Sequence, residues 1–432
     1  MTKARRVALT WMLLCCGLSA LWGFSMFRGS PGLMVDFKGV YFHAQCLLQH
    51  ADPYKPGNTL RIYLAKGEKL PQSNEGPLQN LTLDVYLPTT SIFVVPLALL
   101  PWWTAQTLWT ILGIASLIFA AFLMWDLAAS YAPVISGVLI CFVLANTEAF
   151  FPIGNPAAIA ISLCLVGLWC FLRDRFVWAG VLCLAISLVL KPQDAGFVWL
   201  FLLLAGGVYR KRALQTLLIA AVLGLAAIAC VTPIAPHWTQ ELHSNLQVAS
   251  APGGVNDPGP TGRNTGGPAS VIDFQSVVAV FRNDSRIYNS VSYLVCGALL
   301  LMWVVRTLRV HFSQTRAWLA LAAVVPLSML VTYHRIGDTK LLLLAVPACA
   351  MLWAEGKPIR WLALLITSAG LVFTADIPLT IHLILTRNLH ISAAELPGQL
   401  LTVVLMRPTQ LTLLAMGIFY LWIYLRYEPE RA

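Results

Sequence analysis

Apolar residues come in long runs separated by short polar linkers, near 7–27, 104–126, 133–151, 156–172, 176–190, 194–209, 213–232, 289–308, 317–333, 339–353, 360–375 and 408–425. A helix rises about 1.5 Å per residue and needs about 20 apolar residues to cross a hydrocarbon core of about 30 Å, so the pattern predicts about twelve transmembrane helices. Alternate linkers are basic: Arg173 and Arg175, then Arg210, Lys211 and Arg212, then Arg306, Arg309 and Arg316, then Lys357 and Arg360. Lys3, Arg5 and Arg6 fall in phase with them, and the positive-inside rule puts these linkers and both termini in the cytoplasm. Residues 86–103, YLPTTSIFVVPLALLPWW, are apolar but short and interrupted by Pro88, Pro96 and Pro101. A crossing there would turn every basic linker outward, so the segment is expected to re-enter or to lie on the membrane, buried against protein.

Three segments then remain outside, 28–103, 233–288 and 376–407, within a single membrane domain spanning 1–432. In DFKGVYFHAQCLLQH, Phe37, Val40, Tyr41, Ala44, Leu47 and Leu48 recur at helical spacing opposite Lys38, His43, Gln45 and Gln49. That periodicity predicts an amphipathic helix lying on the outer membrane surface. APGGVNDPGPTGRNTGGP is too rich in Gly, Pro and Asn for a helix and reads as a mobile loop.

Composition narrows the class. Apolar residues make up 58% of the chain and charged residues 11%, against roughly 25% charged in soluble domains, which excludes a soluble globular protein and a disordered one. The balance of 29 Lys+Arg over 19 Asp+Glu, net +10, is spread over the ends of apolar segments. Such a distribution suits anionic headgroups; no basic patch interleaved with aromatics points to nucleic acid. Of ten cysteines, all but Cys46 lie in apolar runs, so neither a disulfide framework nor a thiolate metal site is expected. The apolar run after MTKARR exceeds a signal-peptide core and reads as an uncleaved first span.

Polar residues at membrane edges are costly and therefore candidates for function. Asp36 follows the first span; Gly154-Asn155-Pro156 joins the third to the fourth; Lys191-Pro192-Gln193-Asp194 joins the fifth to the sixth; Tyr333-His334-Arg335 and Asp338-Thr339-Lys340 join the ninth to the tenth. All four fall on the outer side, where an acid, several cations and a histidine would suit chemistry on a charged lipid headgroup. Asp36 is equally well explained as a helix N-cap, and Lys191 and Arg335 as cations snorkelling from span ends. His43, His50, His237 and His243 read as surface histidines, Asp273, Arg282, Asp284 and Arg286 as a solvated loop face, and Asp84 as a candidate second acid.

The stretches VDFKGVYFHAQCLLQHADPY and VYLPTTSIFVVPLALLPWWTAQTLWTIL resemble the N-terminal signature of glycosyltransferase family 87. GNPAAIAISLCLVGLW, ISLVLKPQ and YHRIGDTKLLLLAVP resemble later segments of that family, in the same order. The resemblance implies an all-α polytopic GT-C-type bundle with extracytoplasmic juxtamembrane helices and loops in the cell inner (cytoplasmic) membrane, using a polyprenyl-phosphate sugar, often mannose, on a glycan or glycolipid acceptor. It makes Asp36 the catalytic base and places His334 near the donor. Asn155, Lys191, Gln193, Arg335, Asp338 and Lys340 complete the expected substrate-binding set, with the cations on the phosphate, and no cofactor or metal is expected. A single essential carboxylate implies inversion, because retention would need a second one as nucleophile. Twelve spans with both ends inside also suit a transporter, but no internal repeat is evident and the polar clusters sit at one face rather than the midplane. An assembly protein without chemistry is the third class.

Overall fold

Among residues 2–29, 34–67, 75–147, 153–259, 271–386 and 395–427, which the computed structural model describes, the apolar runs become helices and no strand forms. Among the described residues, six helices are long and apolar enough to cross a membrane: Trp102–Ala128, Gly207–Val231, Ser285–Arg309, Gln314–Val331, Ile336–Ala354 and Pro408–Arg426. Predicted spans also fall on Lys3–Gly29 and on the shorter helices Pro133–Leu144, Ala157–Leu172, Val177–Leu190, Pro192–Ala205 and Ile359–Val372. The result is an all-α polytopic fold. The predicted span 339–353 begins as a 3-10 helix, Ile336–Ala345, before continuing as the α-helix Val346–Ala354. Segment 376–407, expected outside the membrane, contains the helices Asp376–Thr386 and Leu396–Met406.

The segment 86–103 is divided by its prolines. Pro88 opens an 11-residue helix, Pro88–Ala98, and Pro101 precedes the long helix Trp102–Ala128. Eleven residues rise only about 16 Å, half of what a crossing needs. Thr89 Oγ1 donates to the carbonyl of Val189 at 2.5 Å and Thr90 Oγ1 to that of Leu190 at 3.1 Å. These hydroxyls satisfy carbonyls that the helix Val177–Leu190 leaves open at its C-terminus. The short helix is therefore packed against the end of a long one.

The helix Val35–Leu48 forms where periodicity predicts it, but it does not lie on a surface. Ten of its fourteen residues are buried, His43 and Gln45 among them. On the face expected in water, Gln45 donates to the Ala98 carbonyl, and from the apolar face Tyr41 Oη donates to that of Leu100 at 2.8 Å. Phe37, Val40 and Phe42 share a core with Val94, Ala98 and Trp109. The periodicity is real; protein, in place of water, covers His43 and Gln45 on the polar side of the helix, while Gln49 just past its end is exposed.

Candidate active site

Four connections meet at one end of the bundle. The first is the start of Val35–Leu48, where Met34, in the left-handed region at φ 68, turns the chain into the helix. Phe37, one residue after Asp36, stacks on Trp109 with centroids 4.5 Å apart and on Trp102 at 5.6 Å, which fixes the first turn. Asp36 is not an N-cap: it sits inside the helix, and its Oδ2 accepts from Asn155 Nδ2 at 2.6 Å.

Asn155 reaches it because of Gly154. That residue has φ +69, and a Cβ on it would lie 2.8 Å from the Phe37 Cβ, so only glycine lets the turn approach the Asp36 helix so closely. Trp109 Nε1 donates to the Gly154 carbonyl at 2.9 Å and pins the turn from the other side.

Lys191 lies at the break between Val177–Leu190 and Pro192–Ala205. The following proline removes an amide donor and biases Lys191 toward extended backbone, observed at φ −152. The side chain is buried and not snorkelling: its ammonium pairs with Asp338, lies 3.6 Å from Asp194 Oδ2, and donates to Asn155 Oδ1 at 3.5 Å. Burial works against that ammonium, yet the neighbouring Asp194 and Asp338 carboxylates hold it above its ordinary range.

The fourth connection runs from Thr332 into the 3-10 helix. Arg335 pairs with Val271 in an isolated antiparallel bridge, and Ile272 N donates to the His334 carbonyl at 3.1 Å. The Arg335 guanidinium donates through Nη2 to the Val255 carbonyl and Asn256 Oδ1, both at 3.0 Å, and through Nε to Tyr333 Oη. At three residues per turn, Asp338 and Lys340 point to different sides of a 3-10 helix. Asp338 faces Lys191, and its Oδ2 accepts from Arg335 N at 2.9 Å, whereas the Lys340 ammonium donates to the Asn146 carbonyl at 2.9 Å. His334 is buried with Nε2 3.3 Å from Asp194 Oδ1; burial lowers its proton affinity, but the Asp194 bond raises it further.

These connections enclose a cavity of about 380 Å³. Its polar wall carries Asp36, Asn155, Lys191, Gln193, Tyr333 and Arg335; its apolar wall includes Leu83, Leu87, Leu190, Leu242 and Leu246. The expected residues Asp36, Asn155, Lys191, Gln193 and Arg335 thus converge. His334, Asp338 and Lys340, expected at substrate, do not line the cavity: the first two stand behind Lys191 and the third points away. Tyr86, at the start of the proline-broken segment, also lines it, as do Gln79 and Asn256, although nothing in the sequence context of these last two singles them out. Asn256 sits in the Gly/Pro-rich stretch read as a loop, where composition hides a single useful side chain.

Burial pushes the Asp36 carboxyl above its ordinary value, while Arg335, the Asn155 bond and Lys191 pull it back. Asp36 is the only carboxylate among the described residues lining the cavity. Asp84, the candidate second acid, is buried outside the cavity, with Oδ2 3.5 Å from His43 Nδ1 and 3.4 Å from Ser91 Oγ. His43 is therefore not a surface histidine. Nor is Asp273 a solvated residue: it is buried, with Oδ1 accepting from Ser276 N at 2.9 Å. Asp194, His334 and Asp338 bring three donor atoms within 4.8 Å, close enough for one cation, and the Lys191 ammonium already lies among them.

An all-helical fold with several apolar helices, and a charged, half-apolar cavity where its connections converge, defines a polytopic membrane protein. Residues 85–266 match the profile of glycosyltransferase family 87, so the likeness read from the sequence holds over somewhat less than half of the chain. The matched stretch includes Asn155, Lys191, Gln193 and Asn256 but neither Asp36 nor Arg335, and it supports a membrane glycosyltransferase. No curated protein and no solved structure gives a significant match.

Proposed function

We propose that the protein transfers a hexose, mannose-like, from a polyprenyl-phosphate sugar to a hydroxyl of a glycan or glycolipid on the extracytoplasmic side of the membrane. The observation that carries this reading is the shared cavity, where one carboxylate and one guanidinium face the same space beside an apolar wall. The Asp36 Oδ1 takes the proton of the acceptor hydroxyl as its oxygen bonds to the anomeric carbon. The bond from that carbon to the donor phosphate breaks, and its electron pair leaves with the polyprenyl phosphate. A base whose proton affinity is raised toward the operating pH suits this step. With no second carboxylate among the described residues of the cavity wall to act as nucleophile, the displacement is direct and inverts the anomeric centre.

The geometry favours one cation for the phosphate over the others. Lys191 faces two buried carboxylates and Lys340 is turned away, so Arg335 is the phosphate ligand: Nε and Nη2 are held in place, while Nη1 makes no hydrogen bond among the described residues. Fixed in this way, its planar fork needs little reorganisation to receive the charge left on the phosphate. Gln79 and Gln193 bring to the cavity side-chain amides that make no hydrogen bond among the described residues, donors and acceptors suited to sugar hydroxyls. The apolar wall offers the prenyl chain a path from the lipid.

Purified protein in liposomes, given a panel of radiolabelled polyprenyl-phosphate hexoses with membrane lipid extract as the acceptor source, tests the reading. Transfer from a mannose-type donor that Asp36→Asn abolishes is the expected result. Transfer by wild type from none of the donors, or undiminished transfer by Asp36→Asn, would overturn it.

A further inference from the structure

Asn155 contacts both the proposed base and the buried ammonium, and the hydrogen bonds fix which end of its amide does which. Its Oδ1 accepts from Ala157 N at 2.9 Å and faces Lys191 Nζ at 3.5 Å, both donors. Its Nδ2 must therefore be the end that donates to Asp36 Oδ2 at 2.6 Å. Flipping the amide would set the carbonyl oxygen against a carboxylate oxygen and the NH₂ against an N–H and an ammonium, replacing each favourable contact with a like one. Lys191 is held in turn by Asp338 and Asp194, Asp338 by the Arg335 amide, and Asp194 faces His334.

We propose that Asn155 is the positioning residue of the glycosyl-transfer base: held amide-first by Lys191 and the carboxylates behind it, it occupies one oxygen of Asp36 and leaves the other as the sole proton acceptor. The inference rests on the reading of Asp36 as base and adds to it how the carboxylate is aimed. It assigns Lys191, Asp338, Asp194 and His334 a task away from the substrate, which explains why three of the four do not line the cavity. The charged and titratable groups facing Asp36 are Arg335, Lys191, Asp338, Tyr86 and Tyr333, and of these only Arg335 and Lys191 carry positive charge. Both stay positive through the neutral range, so the acid limb of a pH–rate profile reports the carboxylate itself.

A merely structural role is available, since the Asn155 Oδ1 bond to Ala157 N closes an Asx turn at the start of the helix Ala157–Leu172. Asn155→Asp separates the two roles. It keeps the size and the turn oxygen but loses the donor and puts a second carboxylate against Asp36, and two carboxylates sharing one site hold a proton more tightly. In the liposome assay, with the polyprenyl-phosphate hexose that wild type uses, kcat at neutral pH should fall by about 10-fold or more, with donor KM changed little and the acid limb of kcat moved to higher pH. A turn residue predicts a wild-type profile, and that result would overturn the proposal. Should Asn155→Asp fail to fold, Asn155→Ser keeps a turn-forming oxygen that cannot reach Asp36; a lowered kcat supports the inference and an unchanged kcat refutes it. Asp36→Asn measured in parallel keeps the two readings apart: if it stays active the base assignment fails, whereas an inactive Asp36→Asn beside a normal Asn155→Asp removes only the positioning role.

Discussion

Two buried clusters of the same residue types, an acid beside a histidine, behave oppositely. In the first, His43 faces Asp84 and no cation pairs with that acid among the described residues: burial pushes Asp84 up to about 8 and His43 down to about 3, which favours the neutral form of each near pH 7. In the second, Asp338 and Asp194 surround the Lys191 ammonium, and His334, against Asp194, is pushed up rather than down. In the second cluster the Lys191 ammonium pairs with the acids and opposes the cost of burying them; among the described residues no cation pairs with the acid of the first. Only the ionised cluster touches the cavity, through Lys191 and Asn155. The two clusters thus differ in whether a cation stands among them: the one with Lys191 adjoins the cavity, the one without lies apart from it.

The strongest way to break this division is at the base. Asp36→Asn should cost about 10²–10⁴ in transfer rate with little change in melting temperature, measured as initial rates at matched protein levels. Asp84→Asn, assayed beside it, should leave the rate near wild type; a collapse there would move the base into the neutral cluster. Lys191→Ala should be the most damaging to stability, about 3–5 kcal/mol, because it leaves two buried carboxylates without their cation. Thermal melts in detergent would show it, and a variant as stable as wild type would mean that the acids behind Lys191 are protonated. Arg335→Lys keeps the charge but loses the planar fork, so donor KM should rise roughly 10-fold while kcat changes less. An unchanged KM would place the phosphate elsewhere.

The smallest effect sharpens the other side of the comparison. Between its ordinary 3.8 and about 8, Asp84 holds a proton in the folded protein that the unfolded chain has lost. Stability on this account is fullest below about pH 4 and declines as pH rises toward 8, since the folded state binds the extra proton. Asp84→Asn is uncharged at every pH and should flatten that decline, seen as a narrower gap between melting temperatures at about pH 5 and about pH 8. An unchanged gap would mean that the Asp84 carboxyl is ionised despite its burial.

Much of the fold and of the site is legible in the amino-acid sequence. Hydrophobic periodicity depends on local composition, so it marks the helices, the proline-broken segment 86–103 and the helix carrying Asp36. The alternation of basic linkers groups the four polar connections on one side, and the structure brings Asp36, Asn155, Lys191 and Arg335 around one cavity. The burial of His43 and Gln45 is not legible, because a polar face opposite an apolar one looks the same whether water or the open carbonyls of a neighbouring helix cover it.

The sequence by itself determined the helical membrane class, the likeness to family 87 and the residues that carry candidate chemistry, because each follows from residue type and spacing along the chain. Tertiary structure alone decided which charges meet. Whether Lys191 binds a phosphate or two carboxylates, whether Lys340 faces the cavity or the Asn146 carbonyl, and which end of Asn155 faces Asp36 depend on the path of one 3-10 turn and on a glycine that lets two segments touch. Such contacts link residues far apart along the chain, and the energy of a charge is set by its neighbours in space.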